Sequence, residues 1–368
     1  MMQILPSSVW DSMTNRTVAF SKDSSNLFFH ILTKCNLSCA HCYINSDQHG
    51  ANTLDIKTIR NWLFLFSKRP DLNKGDSNIA GQTNIIFLGG EPTLHPDLSL
   101  AVKEAKRLGF KSITIDTNGY LFHNILEKIS CDEIDFFSFS LDGATRQTND
   151  AIRGEGSYDK VMEGIQKACA RNFSCSMIYT VSDINIHELE LMPDLIKNLG
   201  IKRFFIQVIG LRGKSSKMDG KLQVSKETWL NIIPKAAETI ASHGIMVTFP
   251  KVFLDKTESF QCAGNVADNY FVFPNGRVYQ CPICEDFPLH SYEIKDNLLI
   301  TTPKINEKDL FGLTIPEGCV MNKIIQPQNL SYNKKGDPEH QIACCMLKQE
   351  IHVKETNSVK NNNQKSCR

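Results

Sequence analysis

The sequence lacks the features of a membrane-spanning, exported or polyanion-binding protein. It contains no apolar run of about 18 residues, which is the length that a membrane-spanning helix requires. Its opening segment MMQILPSSVW has no Lys or Arg, so the basic start of a secretory signal is missing. Lys and Arg total 41 and Asp and Glu total 40, a balance that argues against nucleic acid or an anionic membrane as a partner. We therefore expect a soluble, cytoplasmic protein.

Cysteine is the residue type present in excess. The chain has 13 cysteines in 368 residues. Disulfide frameworks are typical of short secreted chains, whereas this chain is long and has no export signal. The cysteines therefore favour thiolate–metal chemistry.

Apolar runs alternate with helical patterns between residues 27 and 215. Continuous apolar runs separated by helices indicate a parallel sheet that helices cover. We count six β-α units, which predicts an α/β fold built as a partial (β/α)6 TIM-like barrel, with its active site at the carboxyl ends of the strands. The runs lie at 28–32, 84–88, 112–116, 134–141, 174–181 and 203–210. The helical patterns lie at 54–66, 98–108, 121–129, 158–170, 187–198 and 225–243.

The composition divides the chain into four parts. Residues 1–26 form a polar lead-in, and residues 27–245 form the barrel. The alternation stops at about 245, and residues 246–347 are predicted to form a small cysteine-rich extension of β-hairpin and helix, with a hairpin at 270–281 that turns at Asn275-Gly276. Residues 348–368 are rich in Lys and Asn, which predicts a disordered tail.

Three cysteines follow the first predicted strand, in the segment Cys35-Asn-Leu-Ser-Cys39-Ala-His-Cys42. Thiolates select iron–sulfur clusters, zinc or Cu(I). A four-iron cluster held by three cysteines keeps one iron open to another ligand, whereas a structural zinc site is closed by four ligands. The alternative is a partial zinc knuckle.

The second predicted strand ends in Gly89-Gly90-Glu91-Pro92. Paired glycines let the backbone approach a ligand closely, and the carbonyl groups and the Glu91 carboxylate can accept hydrogen bonds from an amino group. Alone, this segment is also compatible with a simple tight turn. Its position beside the cysteine loop favours a binding role.

In the order and spacing of these motifs, residues 28–215 resemble the radical S-adenosylmethionine enzymes. The resemblance implies that Cys35, Cys39 and Cys42 hold a catalytic 4Fe–4S cluster and that residues 89–92 bind the amino group of S-adenosylmethionine. It also implies that a reductant such as flavodoxin or ferredoxin reduces the cluster. The cofactor is then cleaved to a 5′-deoxyadenosyl radical that abstracts hydrogen from a substrate.

The same resemblance assigns cofactor contacts to residues at later strand ends. Ser140 and Asp142 suit ribose hydroxyls, and a simple turn is the alternative at Asp142; Arg153 suits a carboxylate, and a solvated surface arginine is the alternative. No acid–base residue can be assigned by spacing among Glu91, Asp116 and Asp142. The predicted cofactor-binding residues are Tyr43, Gly89, Gly90, Glu91, Pro92, Asn118, Ser140, Asp142 and Arg153.

The segment Cys262-x13-Gly276-x4-Cys281 resembles the auxiliary-cluster extension of radical enzymes, known as SPASM or twitch. The resemblance implies one auxiliary 4Fe–4S cluster, with a zinc site as the rival. Cys284 is added by its CxxC spacing. Sequence alone leaves the fourth ligand open among three cysteines, of which the first is preferred: Cys319, Cys344 and Cys345.

The resemblance predicts an enzyme that carries out an oxidative modification or crosslinking of a peptide or protein. An auxiliary cluster suits this chemistry because it can take the second electron after hydrogen abstraction. Two alternatives stay open. One is oxidation or rearrangement of a small molecule such as a tetrapyrrole, alcohol or nucleotide, and the other is a non-catalytic zinc-binding scaffold.

Overall fold

The computed structural model of this chain describes residues 13–18, 25–68, 79–218, 222–343 and 345–353. Its centre is a parallel sheet whose strands are joined by crossovers that contain helices. The parallel strands are β2 (Ser25–His30), β3 (Thr83–Leu88), β4 (Ser112–Thr117), β5 (Phe136–Ser140), β6 (Cys175–Val181), β7 (Arg203–Val208) and β8 (Met246–Pro250). The crossover helices are α1 (Ser46–His49), α2 (Ile56–Lys68), α3 (Leu98–Leu108), α4 (Ile125–Lys128), α5 (Arg146–Arg153), α6 (Ser157–Ala170), α7 (Met192–Asn198) and α8 (Lys226–Ser242).

The strands of this sheet lie side by side in chain order from β2 to β8. The predicted α/β fold with a parallel sheet, consistent with a partial TIM-like barrel, is therefore confirmed. β8 adds a seventh parallel strand to the six that the sequence predicts. The predicted helix at 98–108 is found as α3, which ends at Gly109 with a left-handed φ of 80°.

The extension continues the sheet beyond β2. Strand β10 (Asp268–Val272) pairs with β2 in parallel, and three antiparallel strands follow it. The predicted hairpin is present, since Gly276 has a φ of 86° and its N–H donates to the carbonyl of Phe273 at 2.9 Å. The other elements here are β9 (Phe253–Leu254), α9 (Ala263–Val266), β11 (Arg277–Tyr279), β12 (Tyr292–Lys295), β13 (Leu298–Thr301), α10 (Glu307–Phe311), α11 (Val320–Ile325) and β14 (Gln341–Ile342).

The opposite edge of the sheet corrects the prediction of a disordered tail from residue 348. Lys348–Val353 forms β15, which pairs with β8 and with β1 (Met13–Val18), a strand within the predicted lead-in. The free edge of β8 offers unpaired backbone groups, and β15 supplies their partners although its composition is mostly polar. Residues 354–368 lie outside the described residues. In the described part of the chain, no helix is both long enough and apolar enough to cross a membrane.

Side chains alternate between the helix-covered face of the sheet and the barrel interior. The interior begins with a ladder of polar side chains on four neighbouring strands, joined by hydrogen bonds of 2.8–3.0 Å: Asn269, Asn26, Asn84 and Ser112. The same inward face reaches Leu88 and Asp116 at the carboxyl ends of β3 and β4. Strand register thus brings these ends together around one space.

Candidate active site

A cavity of about 280 Å³ opens at the carboxyl ends of the parallel strands, where a partial barrel is expected to bind its ligands. The three predicted cluster ligands all line this cavity: Cys35, Cys39 and Cys42. Backbone hydrogen bonds hold their loop on two sides. The N–H of Ala40 donates to the carbonyl of Ile152 at 2.8 Å, and the N–H of Lys214 donates to the carbonyl of Cys42 at 2.8 Å.

The three cysteines of this loop are half-buried. Burial raises the pKa of Cys35 to about 11 and also raises the pKa of Cys39, because a thiolate loses its hydration. A bound cation or cluster offsets this penalty by stabilising the thiolates. Among the described residues, no group of three or more His, Cys, Asp or Glu side chains is arranged to hold a single metal ion. A cluster binds its cysteines at separate irons, so three cysteines around one cavity fit it.

The paired glycines fit against the chain that leads into the cysteine loop. A Cβ on Gly89 would lie 2.6 Å from the carbonyl oxygen of Leu32, and one on Gly90 would lie 2.4 Å from that of Lys34. The N–H of Gly90 also donates to the Leu32 carbonyl at 3.1 Å. The small size of these residues therefore serves the packing of two strand ends, in addition to any ligand that approaches.

We expect Gly90→Ala to destabilise the protein by about 1–3 kcal/mol and to reduce the iron bound after anaerobic reconstitution, because overpacking displaces the backbone at Lys34. Thermal unfolding and iron analysis would measure both effects. Gly312→Ala is the control, since a Cβ on Gly312 would meet nothing within 4 Å. Equal melting temperatures and equal iron contents in the two variants would contradict this packing role.

Glu91 joins the ends of β3 and β4. Its carboxylate accepts hydrogen bonds from the N–H and Oγ1 of Thr93 at 3.0 and 2.6 Å, from Oγ1 of Thr117 at 2.8 Å and from the N–H of Asn118 at 2.8 Å. Burial raises the pKa of Glu91, and these donors oppose the rise. Glu91 also lines the cavity, whereas Pro92 is buried in the turn that follows and is not part of the lining.

Asp142 lies within a network of buried charged groups. Its side chain is fully buried and does not line the cavity. The carboxylate lies 2.6 Å from Nε of Arg153 and 3.2 Å from Nε2 of His41, and it accepts from the N–H of Thr180 at 2.7 Å. Burial alone would raise the pKa of Asp142, but Arg153 and His41 lower it to about 2. Asp142 therefore fixes Arg153, which does line the cavity.

The remaining predicted cofactor residues border the same cavity: Tyr43, Gly89, Gly90, Asn118, Ser140 and Arg153. Asn118 donates through Nδ2 to Oδ1 of Asn36 at 2.8 Å, which orients it beside the cysteine loop. Asp116 borders the cavity as well, and burial raises its pKa to about 7. The raised pKa of Asp116 suits proton transfer near neutral pH, whereas the lowered pKa of Asp142 does not.

A stack of rings joins the extension to the cysteine loop. The ring of Phe273 lies between His30 and His49, with centroid distances of 4.1 and 3.9 Å. Burial lowers the pKa of each histidine to about 3, so both are neutral. His30 Nδ1 donates to the carbonyl of Val272, which leaves Nε2 to accept from the hydroxyl of Tyr43 at 2.7 Å. Residues of the extension thus hold His30, and through it Tyr43, in position beside the cysteine loop.

The second cysteine group lies around a smaller space in the extension. Cys262, Cys281 and Cys319 line it together. Cys284 is fully buried beside them, and its N–H donates to the carbonyl of Cys281 at 3.1 Å. Cys345 lines the barrel cavity and also packs against the apolar cluster that contains Cys281, Cys284 and Cys319. Cys344 lies outside the described residues.

Sequence reasoning missed two charged residues of the barrel cavity, Arg212 and Glu285. Nη1 of Arg212 lies 2.5 Å from Oε2 of Glu285, and the guanidinium lies 4.8 Å from the centre of the Tyr43 ring. Burial raises the pKa of Glu285, whereas the ion pair with the Arg212 guanidinium opposes the rise and favours the ionised carboxylate. The only signal in the sequence was that Arg212 follows a predicted strand end, where a barrel places its functional side chains.

Comparisons with known proteins agree with this geometry. Residues 30–196 match the family model described as the Radical SAM superfamily. The Fe-coproporphyrin III synthase of Methanosarcina barkeri is 28% identical over 214 residues, which cover 56% of this chain and 49% of that protein. A probable GTP 3′,8-cyclase of Saccharolobus islandicus is 26% identical over 188 residues, which cover 51% and 58%. The chain thus spans about half the length of these curated relatives.

Solved structures share the fold over a longer range. The anSMEcpe structure with bound AdoMet and the Kp18Cys peptide aligns with a TM-score of 0.54 at 14% identity, covering 84% of each chain. Streptococcus suis SuiB bound to the precursor peptide SuiA aligns with a TM-score of 0.52 at 14% identity, covering 85% of this chain and 66% of that chain. At this identity the likeness shows a shared fold.

Radical SAM proteins are enzymes that use a 4Fe–4S cluster and S-adenosylmethionine, and the family match covers the part of the chain for which the sequence predicts these cofactors. The family match begins at His30, directly before the cysteine loop, and ends within α7. It therefore contains the three cysteines, the Gly89–Glu91 turn and Arg153, all of which border one cavity. Together these findings show that residues 30–196, a little under half of the chain, are similar to the radical SAM superfamily.

Proposed function

We propose that this chain binds a 4Fe–4S cluster at Cys35, Cys39 and Cys42 and uses S-adenosylmethionine to abstract hydrogen from a peptide or protein, which is thereby oxidised or crosslinked. The observation that carries the proposal is that the cysteine loop, the Gly89–Glu91 turn and Arg153 border one cavity. When reduced, the cluster and its cofactor supply a 5′-deoxyadenosyl radical.

We assign the binding of S-adenosylmethionine and proton transfer to different residues of the cavity. Backbone groups at Gly89 and Gly90 offer acceptors for the amino group of S-adenosylmethionine, and Arg153 offers donors for its carboxylate. Ser140 and Asn118 offer hydrogen bonds for the ribose. We assign proton transfer with the substrate to Asp116, because it borders the cavity with a pKa of about 7.

The charges in the cavity favour a peptide over a polyanion. Both arginines of the lining are paired with buried carboxylates, Arg153 with Asp142 and Arg212 with Glu285. The lining contains three acidic and three basic residues, so it has no positive excess. A triphosphate or a tetrapyrrole with several carboxylates would need such an excess to offset its desolvation. A peptide backbone is neutral and needs none.

Oxidation of a small molecule is the second candidate. It is favoured by the two curated relatives, one named as a coproporphyrin synthase and one as a probable GTP cyclase. Anaerobic reaction with peptides encoded beside this gene, followed by mass spectrometry, separates the candidates. The proposal expects a peptide product that has lost hydrogen. Unchanged peptides, together with turnover of a porphyrin or nucleotide, would favour the second candidate.

We further propose an auxiliary 4Fe–4S cluster at Cys262, Cys281, Cys284 and Cys319. Support comes from the three of these cysteines that share one space and from the burial of Cys284 beside them. A reductant such as flavodoxin or ferredoxin would supply electrons to the catalytic cluster. The auxiliary cluster would accept the electron left on the substrate after hydrogen abstraction.

Cys281→Ala is expected to lose about four irons while it still cleaves S-adenosylmethionine, and to make no product because the second electron has no acceptor. Iron analysis and chromatography of 5′-deoxyadenosine and product would measure this. Cys169→Ala is the matched control and should keep all its iron, since the sulfur of Cys169 lies beside that of Cys175 and lines neither cysteine space. Full product formation by Cys281→Ala would rule out the redox role.

A further inference from the structure

Arg212 and Glu285 form an ion pair at the cavity in which some hydrogen-bonding atoms have no partner among the described residues. Arg212 follows β7, and Glu285 lies in the Pro282–Asp286 turn of the extension. Nη1 of Arg212 binds Oε2 of Glu285 at 2.5 Å and the carbonyl of Pro282 at 2.6 Å. Among the described residues, Nε of Arg212 and Oε1 of Glu285 have no hydrogen-bond partner, although both atoms are buried.

Unpartnered buried polar atoms are costly in proteins, and folded chains seldom tolerate them unless a ligand or water completes them. Glu285 is only 1% exposed, so bulk water does not solvate it. Both residues line the barrel cavity, which is the space from which a partner can reach them.

The backbone around this pair is held in place before any ligand arrives. Nε2 of His49 donates to the carbonyl of Glu285 at 3.1 Å. The N–H of Gly213, next to Arg212, donates to the carboxylate of Asp286 at 2.8 Å. The two side chains are therefore fixed on both sides, which lowers the entropy lost on binding.

We propose that Arg212 and Glu285, which we name the anchor pair, bind a secondary amide of the substrate inside the barrel cavity. The guanidinium Nε–H donates to the amide oxygen, and the carboxyl Oε1 accepts from the amide N–H. A secondary amide carries one donor and one acceptor, which matches the pair. A carboxylate or phosphate offers only acceptors and would meet the Glu285 carboxyl group unfavourably. This inference rests on the proposed function, because it names how that substrate is held.

Apolar residues also line the barrel cavity and suit the body of a side chain or a second residue. They include Ile209, Phe271, Pro282 and Met346. A site of a few directed polar groups within apolar walls is typical of small-ligand and peptide pockets. The anchor pair would therefore set the register of the peptide while the apolar lining accepts its side chain.

The test uses N-acetylphenylalanine methylamide as the probe and the reconstituted protein with S-adenosylmethionine. Its comparison ligand carries methyl groups in place of both amide hydrogens. Ligand-observed NMR under anaerobic conditions gives the dissociation constants. The wild type should bind the probe about tenfold or more tightly than the methylated ligand, as expected for the loss of a hydrogen bond to a charged group.

The variant Arg212→Met/Glu285→Met removes the pair while it keeps similar volume, a change that folded proteins often tolerate. It should lose the preference for the probe. Arg107→Met/Glu104→Met removes the exposed pair on α3, which has a separation of 2.6 Å, and should keep the preference. The wild-type comparison of the two ligands needs no variant, so misfolding of the double variant would not remove the test.

Equal affinity of the wild type for both ligands, or no binding of either, would overturn the anchor pair and show that ordered water alone completes these atoms. Formation of 5′-deoxyadenosine in the same preparations is measured separately. If it persists while the ligand preference is absent, the anchor pair fails and the proposed function stands. If iron and 5′-deoxyadenosine are both missing, the proposed function itself fails.

Discussion

Cys39→Ala is expected to abolish the reductive cleavage of S-adenosylmethionine. Three cysteines is the smallest set that can hold a four-iron cluster with one open iron, so the loss of one leaves the cluster unsupported. Chromatography of 5′-deoxyadenosine after anaerobic incubation with dithionite measures the outcome. The iron content should fall by about four per chain in the same sample.

Cys169→Ala is the control for this experiment. Cys169 lies on α6 with its sulfur 3.4 Å from that of Cys175 and does not line the barrel cavity. It should keep wild-type iron and wild-type cleavage. Normal cleavage in Cys39→Ala would refute the assignment of this cysteine to the catalytic cluster.

Asp142→Asn is expected to destabilise the protein by about 3–5 kcal/mol, which is the usual cost of leaving a buried charge without its partner. The charge in question is Arg153, whose Nε lies 2.6 Å from the Asp142 carboxylate. The melting temperature should fall by roughly 5–15 °C. Iron loading should also fall, because the carbonyl of Ile152, next to Arg153, binds the cysteine loop.

The wild type should show the matching dependence on pH. The pKa of Asp142 is lowered to about 2 in the folded chain, against about 3.9 for an unfolded aspartate. The stabilisation is therefore fully present above about pH 4 and is lost as the pH falls towards 2. Asp142→Asn should lack this component of the acid dependence.

Asp159→Asn is the matched control, because Asp159 pairs with Arg146 at 2.7 Å on the exposed surface. Exposed pairs contribute about 0–1 kcal/mol, so its melting temperature should change little. If Asp142→Asn and Asp159→Asn both have melting temperatures close to that of the wild type, the buried pair of Asp142 and Arg153 does not stabilise the barrel.

The strands of the barrel could be predicted from the sequence because they carry continuous apolar runs. Phe137 and Phe139 of β5 and Ile113 and Ile115 of β4 are fully or almost fully buried against helices. Such burial imposes a pattern on neighbouring residues, and that pattern can be read without the structure. The prediction of a disordered tail from residue 348 was wrong because the strand there carries no such apolar pattern. β15 lies between β8 and β1, few of its described side chains are buried, and its order comes from backbone pairing with both neighbours.

The candidate site was predictable only where its residues are close in sequence. The cysteine loop and the Gly89–Glu91 turn are local motifs. The pairing of Asp142 with Thr180 spans 38 residues, and that of Arg212 with Glu285 spans 73. No local pattern indicates which distant residue will neutralise a charge. For that reason the sequence indicated neither the ion pair of Asp142 with Arg153 nor the anchor pair.

Iron and sulfide quantification after anaerobic reconstitution tests the central claim most directly, on the wild type and on the Cys35→Ala/Cys39→Ala/Cys42→Ala variant. We predict about eight irons and eight sulfides in the wild type and about four of each in the variant. A wild type that binds zinc in place of iron and sulfide, or a triple variant with an unchanged iron content, would contradict it.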